Sequence, residues 1–92
     1  MTNKEFILDC LIQDDEAFTQ IVEYFELVVE INISPLEIKK ILEEMLTEGY
    51  ISINYNWKNE HDEDPYSLTE KGKKLGKVFK NNLKCSFFLG GI

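Results

Sequence analysis

The run from residue 33 to 51, Ile-Ser-Pro-Leu-Glu-Ile-Lys-Lys-Ile-Leu-Glu-Glu-Met-Leu-Thr-Glu-Gly-Tyr-Ile, carries the start, the face and the stop of one helix, and the rest of the chain is arranged around it. Ser34 has the side chain of an N-cap, Pro35 suits the first helical position, and Glu37 completes a Ser-x-x-Glu capping box. Ile33 and Ile38 stand where a hydrophobic staple forms, and Gly49 ends the helix. Ile38, Ile41, Leu42 and Met45 recur on one face, widened by Leu46. Glu37, Lys39, Lys40, Glu43, Glu44 and Glu48 take the remainder.

Upstream, Thr2 or Asn3 is expected to cap a first helix running to about Ile12. Phe6, Ile7, Leu8, Cys10, Leu11 and Ile12 make it apolar on most sides, as for a helix central to the domain or one shared with a second subunit. Asp14 or Asp15 is read as the cap of a second helix, with Phe18, Ile21, Val22, Phe25, Val28 and Val29 at helical spacing and an end between Leu27 and Glu30. A small extra strand before that helix is allowed. Downstream, Ile51, Ile53, Tyr55 and Trp57 alternate with polar residues, the period of a half-buried strand. Asn59 to Pro65 reads as a polar loop, Tyr66 to Leu68 as a returning strand, and Thr69 as the cap of a last helix. There Leu75, Val78, Phe79 and Leu83 form an apolar stripe, nearly opposite a basic stripe of Lys73, Lys77, Lys80 and Lys84. The tail from 85 to 92 is apolar.

Ser-Pro-x-x-Ile-Lys-Lys-x-Leu and Glu-Gly-Tyr-Ile, a strand pair, then Tyr-Ser-Leu-Thr-Glu-Lys-Gly-Lys-Lys-Leu together resemble the recognition helix, wing and following helix of a winged helix-turn-helix. Small bacterial transcription regulators of the PadR and MarR type are the similar families. The likeness runs from about Glu5 to Leu83 and implies an α+β winged helix-turn-helix: three helices, a two-stranded wing and a C-terminal helix in a single domain over 1–92. It also implies DNA binding, as a dimer, with Ser34, Leu36, Glu37, Lys39 and Lys40 facing the groove; Lys73, Lys77, Lys80 and Lys84 read first as a solvated outer face and second as further DNA contacts. Relatives that bind DNA carry basic residues where this chain has Glu43 and Glu44, and at the wing tip, where it has Glu60, Asp62, Glu63 and Asp64.

That departure matters because the chain has formal charge -7 and its ten basic residues are all lysine. Arginine is the usual bidentate reader of guanine, and acidic wings are repelled by phosphate. Helix spacing offers Glu43 to Lys39 and Glu44 to Lys40 as competing partners. A second reading therefore stands beside the first: an acidic interaction module, adaptor, inhibitor or DNA mimic, that takes a basic protein surface through its first two helices and its wing, with Trp57, Glu60, Asp62, Glu63 and Asp64, and Phe87 and Phe88, as partner contacts. Tyr55, Trp57 and Tyr66 read first as core packing under the hairpin, and Phe87, Phe88 and Leu89 as folding back on the first helix or completing a dimer. Charge is also sorted along the chain: residues 1–33 hold one Lys against eight Asp and Glu, and residues 69–92 hold six Lys against one Glu. Such a dipole orients binding or pairs subunits.

No catalytic constellation is present, since His61 is the single histidine and there is no Gly-rich phosphate loop, so an enzyme, a cofactor and a metal are not expected. Met1 to Lys4 is followed by no long apolar run, which points to a cytoplasmic protein without signal peptide or membrane span. Cys10 reads as a packed thiol, a bridge to Cys85 being the lesser alternative.

Overall fold

The computed structural model describes residues 1–78; Phe79, Lys80, Leu83, Lys84, Cys85, Phe87, Phe88 and Leu89, with the readings placed on them, lie outside that range. In chain order the described part holds α1 (Asn3–Gln13), α2 (Phe18–Glu23) continued by a π-helical segment (Tyr24–Val29), α3 (Pro35–Glu48), β1 (Ile51–Ile53), β2 (Tyr66–Leu68) and a helix α4 over 70–78. The strands pair antiparallel in the register Ile51 to Leu68, Ser52 to Ser67 and Ile53 to Tyr66. On its other edge β2 makes an isolated antiparallel bridge, Tyr66 to Glu16, which is the small extra strand before the second helix.

α1 begins with a complete capping box: Glu5 N–H donates to Thr2 Oγ1 at 3.2 Å and Thr2 N–H to Glu5 Oε1 at 2.9 Å. Its apolar girth is used inside the domain. Ile7, Leu8, Cys10 and Leu11 are buried, Phe6 meets Phe25 edge to face at 6.1 Å, and Ile12 packs directly on Gly76 of α4. The Cys10 thiol is free, and burial, then Glu16 and Asp9, push its pKa up to about 12.

Neither Asp14 nor Asp15 caps α2. The cap position is Ala17, which has no side-chain acceptor, because the aspartates are engaged elsewhere. Asp15 accepts from Ser67 Oγ at 2.5 Å and from Asn54 Nδ2 at 3.0 Å, and Asp14 accepts from the N–H of Asp15 at 2.9 Å. Asp15 ties the α1–α2 connection to the wing. α2 then loosens into the π-helical segment, which closes at Glu30 in the left-handed region (φ 58°). Phe25 stays buried, but the changed register turns Val28, expected on the apolar face, outward at 69% exposure beside Leu27 at 72%.

α3 matches both of its sequence signals. Ser34 Oγ accepts from Glu37 N–H at 3.1 Å, while the return bond from the Glu37 side chain is not formed, so the capping box is half made. Ile38, Leu42 and Met45 are fully buried, and Gly49 takes the left-handed conformation (φ 81°) that turns its own N–H and that of Tyr50 back onto the carbonyls of Leu46 and Met45. Thr69 caps α4, accepting from Gly72 N–H at 3.1 Å, and donates its hydroxyl proton to the Gly49 carbonyl at 2.6 Å. A Cβ on Gly72 would strike the backbone carbonyl oxygen of Tyr50. Leu75 packs on the core, whereas Val78, assigned to the same stripe, is 55% exposed.

β1 is shorter than its alternation. Asn54 N–H donates to Pro65 O at 2.8 Å, and its side-chain oxygen accepts from Asn56 N–H at 2.9 Å, an Asx turn that breaks the strand before Tyr55. Tyr55 and Trp57 are therefore exposed, and only Tyr66 of the three wing aromatics is core. The polar loop is ordered by one side chain. Asn59 Oδ1 accepts from the N–H groups of His61 and Glu63, and Asn59 Nδ2 donates to Gln20 on α2 and to the Glu63 carboxylate, each at 2.8–3.0 Å. Burial alone would raise the Glu63 carboxyl, but hydrogen bonds from Thr19 and Asn59 outweigh it and hold the group below its ordinary value.

These contacts generate two predictions. Gly72→Ala should destabilise the domain by about 1–3 kcal/mol, the usual cost of overpacking, read as a lower Tm in thermal melts. Glu63 has a depressed carboxyl, so its docking contributes stability above the ordinary carboxylate range and loses it as pH falls through the lowered pKa. Asn59→Ala should reduce that contribution at neutral pH, the Thr19 hydrogen bonds keeping the rest, with amide hydrogen exchange rising in 59–63 while the protection of α3 is kept.

Candidate nucleic-acid interface

The first two turns of α3 emerge from the domain as a free edge. Ser34, Pro35, Leu36, Glu37, Lys39 and Lys40 are all exposed, and the core contact begins with Ile38 between them. Leu36, at 81% exposure, is the most exposed large apolar side chain among the described residues. The Ser34 cap consumes one of the orphan donors at this helix start, and Pro35 lacks an N–H. The groove-facing set expected from sequence is thus brought together on one surface.

The two lysines differ. Lys39 does not pair with Glu43: its ammonium donates to the Tyr66 hydroxyl at 3.2 Å and lies 5.2 Å from the Phe18 ring centre and 5.9 Å from that of Tyr66. Nor does Lys40 come within ion-pair distance of Glu44 or any other carboxylate among the described residues. Lys40 is left as the unengaged cation of the helix, with Glu43 and Glu44 further along the exposed side. The role of Phe18 and Tyr66 as a seat for Lys39 was not legible at helical spacing, because the three residues meet only through the tertiary fold.

The wing carries less free negative charge than its composition implies. Asp64 is paired with Lys58 at 3.0 Å, and Glu63 is turned toward α2 by Asn59 and Thr19. Glu60 and Asp62 remain at the exposed tip, Glu60 lying 3.7 Å from His61 and Asp62 adopting φ 60°. Trp57, at 42% exposure, lies beyond the core edge. On α4, Lys73 reaches Glu70 at 3.8 Å and Lys77 is exposed; both border a cavity of about 640 Å³ opposite Asp14 and Asp15. Lys71, which the sequence did not single out, donates to the Glu48 carbonyl at 2.7 Å and, with Lys4, stacks over Tyr50 at the C-terminus of α3. Lys4 and Lys71 thus sit at the opposite end of α3 from its exposed start. Among the described residues no helix is long and apolar enough to cross a membrane.

No protein-family model and no curated protein matches the sequence. Solved structures do match the fold. A PadR family transcription regulator from hypervirulent Clostridium difficile R20291 superposes with TM-score 0.79 at 16% identity, over 95% of this chain and 92% of that one. The adhesin competence repressor AdcR of Streptococcus pyogenes gives 0.78 at 17% identity, over 99% of this chain and 61% of its own. Bacillus subtilis PadR, solved in complex with operator DNA, gives 0.67 at 25% identity, over 83% of this chain and 44% of its own. The chain spans less than half of the operator-bound protein and under two thirds of AdcR. Its architecture is that of a winged helix-turn-helix similar to PadR-family and related transcription regulators.

Proposed function

We propose that the chain is a transcription regulator that binds duplex DNA as a homodimer, each copy placing the first two turns of α3 in a major groove. The observation that carries this reading is the exposed start of α3, where Ser34, Leu36, Glu37 and Lys40 project from a helix whose core contacts begin at Ile38, with Lys39 beside them seated on Phe18 and Tyr66. A fold neighbour solved with operator DNA supports the same use of the architecture. In this geometry Lys40 meets a phosphate, Leu36 packs on a thymine methyl, and Glu37 accepts from a cytosine amino group. Lys39 sits at the junction of α3 and β2 and supplies positive potential there. One chain offers one recognition helix, and two related by a two-fold axis read two half-sites a helical turn apart.

What supports DNA over a basic protein surface at the wing is the disposition of its carboxylates. Two of the four, Glu63 and Asp64, are satisfied within the domain. The wing tip then opposes phosphate with Glu60 and Asp62 alone, a repulsion that added salt screens.

The test is titration of labelled duplex DNA with the full chain at low and moderate salt. Association should be salt-sensitive, with Lys40→Ala weakening binding to all sequences alike and reducing the slope of log K against log salt by about one. Leu36→Ala should instead leave non-specific affinity unchanged and relax sequence preference at one base pair. No association at low salt up to about 10⁻⁴ M, the weak end of non-specific binding, would contradict the reading.

A further inference from the structure

Helical geometry sorts the side chains of α3 into two faces and a flank. At about 100° per residue, Glu43, Leu36, Thr47 and Lys40 point within about 60° of one another, and Met45, Ile38 and Leu42 within about 60° on the far side. The first set is exposed and the second fully buried. Lys39 belongs to neither: it stands about 60° from Leu36 and about 60° from Leu42, on the flank between them. A side chain anchored on that flank sets the rotation of the helix about its own axis, and with it the directions in which Leu36 and Lys40 project.

The anchor of Lys39 is fixed independently of the helix. Its ammonium donates to the Tyr66 hydroxyl at 3.2 Å and lies 5.2 Å from the Phe18 ring centre and 5.9 Å from that of Tyr66, within the range of cation–π attraction. Tyr66 is held by backbone pairing to Ile53 on one edge and to Glu16 on the other, and its ring is core; Phe18 packs against the same core. Among the described residues no carboxylate forms an ion pair with Lys39. To reach a phosphate the ammonium would give up the hydroxyl and both rings. Lys40, on the exposed face, has no such seat to leave.

We infer that Lys39 is a positioning residue and not a DNA contact: seated on Phe18 and Tyr66, it locks the rotation of α3 against α2 and β2, so that Leu36 and Lys40 face the groove together. This rests on the DNA-binding function proposed above and divides the labour of its two lysines. Lys40 touches the ligand, and Lys39 acts through Tyr66. The buried Tyr66 then contributes to affinity through its hydroxyl, from within the domain.

Two measurements on the full chain test it. The first is the amide spectrum of the isotope-labelled free protein. Lys39→Met, which keeps the stem and removes the ammonium, and Tyr66→Phe, which keeps the ring and removes the acceptor, should move the amides of 36–40 in the same pattern, and the double variant no further. The second is titration of a labelled duplex selected by the wild type from a random pool. Each single variant should bind it about tenfold more weakly and the double variant no more weakly than either. Both should keep the wild-type slope of log K against log salt, which Lys40→Ala lowers by about one. Lys39→Arg, able to donate to the hydroxyl and stack on the rings, should restore binding. A slope lowered by about one in Lys39→Met, with binding unchanged in Tyr66→Phe, would make Lys39 a phosphate contact and overturn the inference. Amides of 36–40 that stay in place in either variant would overturn it as well. A wild type that selects no duplex would instead remove the function proposed above, and the free-protein spectrum then decides the seat by itself.

Discussion

Tyr66 is the joint on which the described structure depends. Its backbone pairs with Ile53 across the hairpin and with Glu16 on the other edge, its N–H and carbonyl both being used toward Glu16 at 2.9 and 3.3 Å. Its ring is core, at 5% exposure, and its hydroxyl accepts from Lys39 on α3. One residue thus joins the α1–α2 connection, the wing and the exposed helix. The neighbouring Ser67 repeats the device by donating to Asp15, which also accepts from Asn54. The two short strands hold because side chains from three elements converge on them; a bare two-stranded hairpin of this length is marginal in water.

From this joint the position of α3 follows. Its buried face is set by Ile38, Leu42 and Met45, and its C-terminus is fixed where the Gly49 carbonyl takes the Thr69 hydroxyl proton and Lys71 meets the Glu48 carbonyl. With its far end clamped, α3 keeps an exposed outer face from Leu36 through Lys40, Glu43, Glu44 and Thr47, and its start is the part that a groove-entering helix projects. The reading proposed above therefore sets an exposed helix start on a body of net charge -7. The acids near the wing are partly consumed by Lys58, Asn59 and Thr19, while Asp14, Glu16 and Glu23 gather around the groove beside Leu27 and Val28.

The architecture was legible wherever the controlling interaction is local. Ser34 and Gly49 marked both ends of α3, Thr2 and Thr69 marked the starts of α1 and α4, and a short bridge ahead of α2 was anticipated. What failed to show is what tertiary contacts override. Asp14 and Asp15 look like caps, yet Ser67 and Asn54 claim Asp15 from 52 and 39 residues away. Alternation carried β1 on to Trp57, but the Asn54 turn stops it, and nothing in Leu27 or Val28 announces a π register. At the candidate interface the exposure of Ser34, Leu36, Glu37, Lys39 and Lys40 was legible and the electrostatics were not, since the helical partner foreseen for Lys39 lost to two aromatic rings contributed by α2 and β2. The four Asn59 hydrogen bonds that order the wing loop had no signal at all in the pattern of polar residues.

The most direct measurement of the central claim is an NMR titration of isotope-labelled protein with a short duplex at low salt, following every backbone amide. The account predicts that shifts concentrate in 34–40 at the start of α3, with smaller changes at the wing tip and none in the groove beside Leu27 and Val28. Shifts confined to α4, or to the wing with α3 silent, would contradict it.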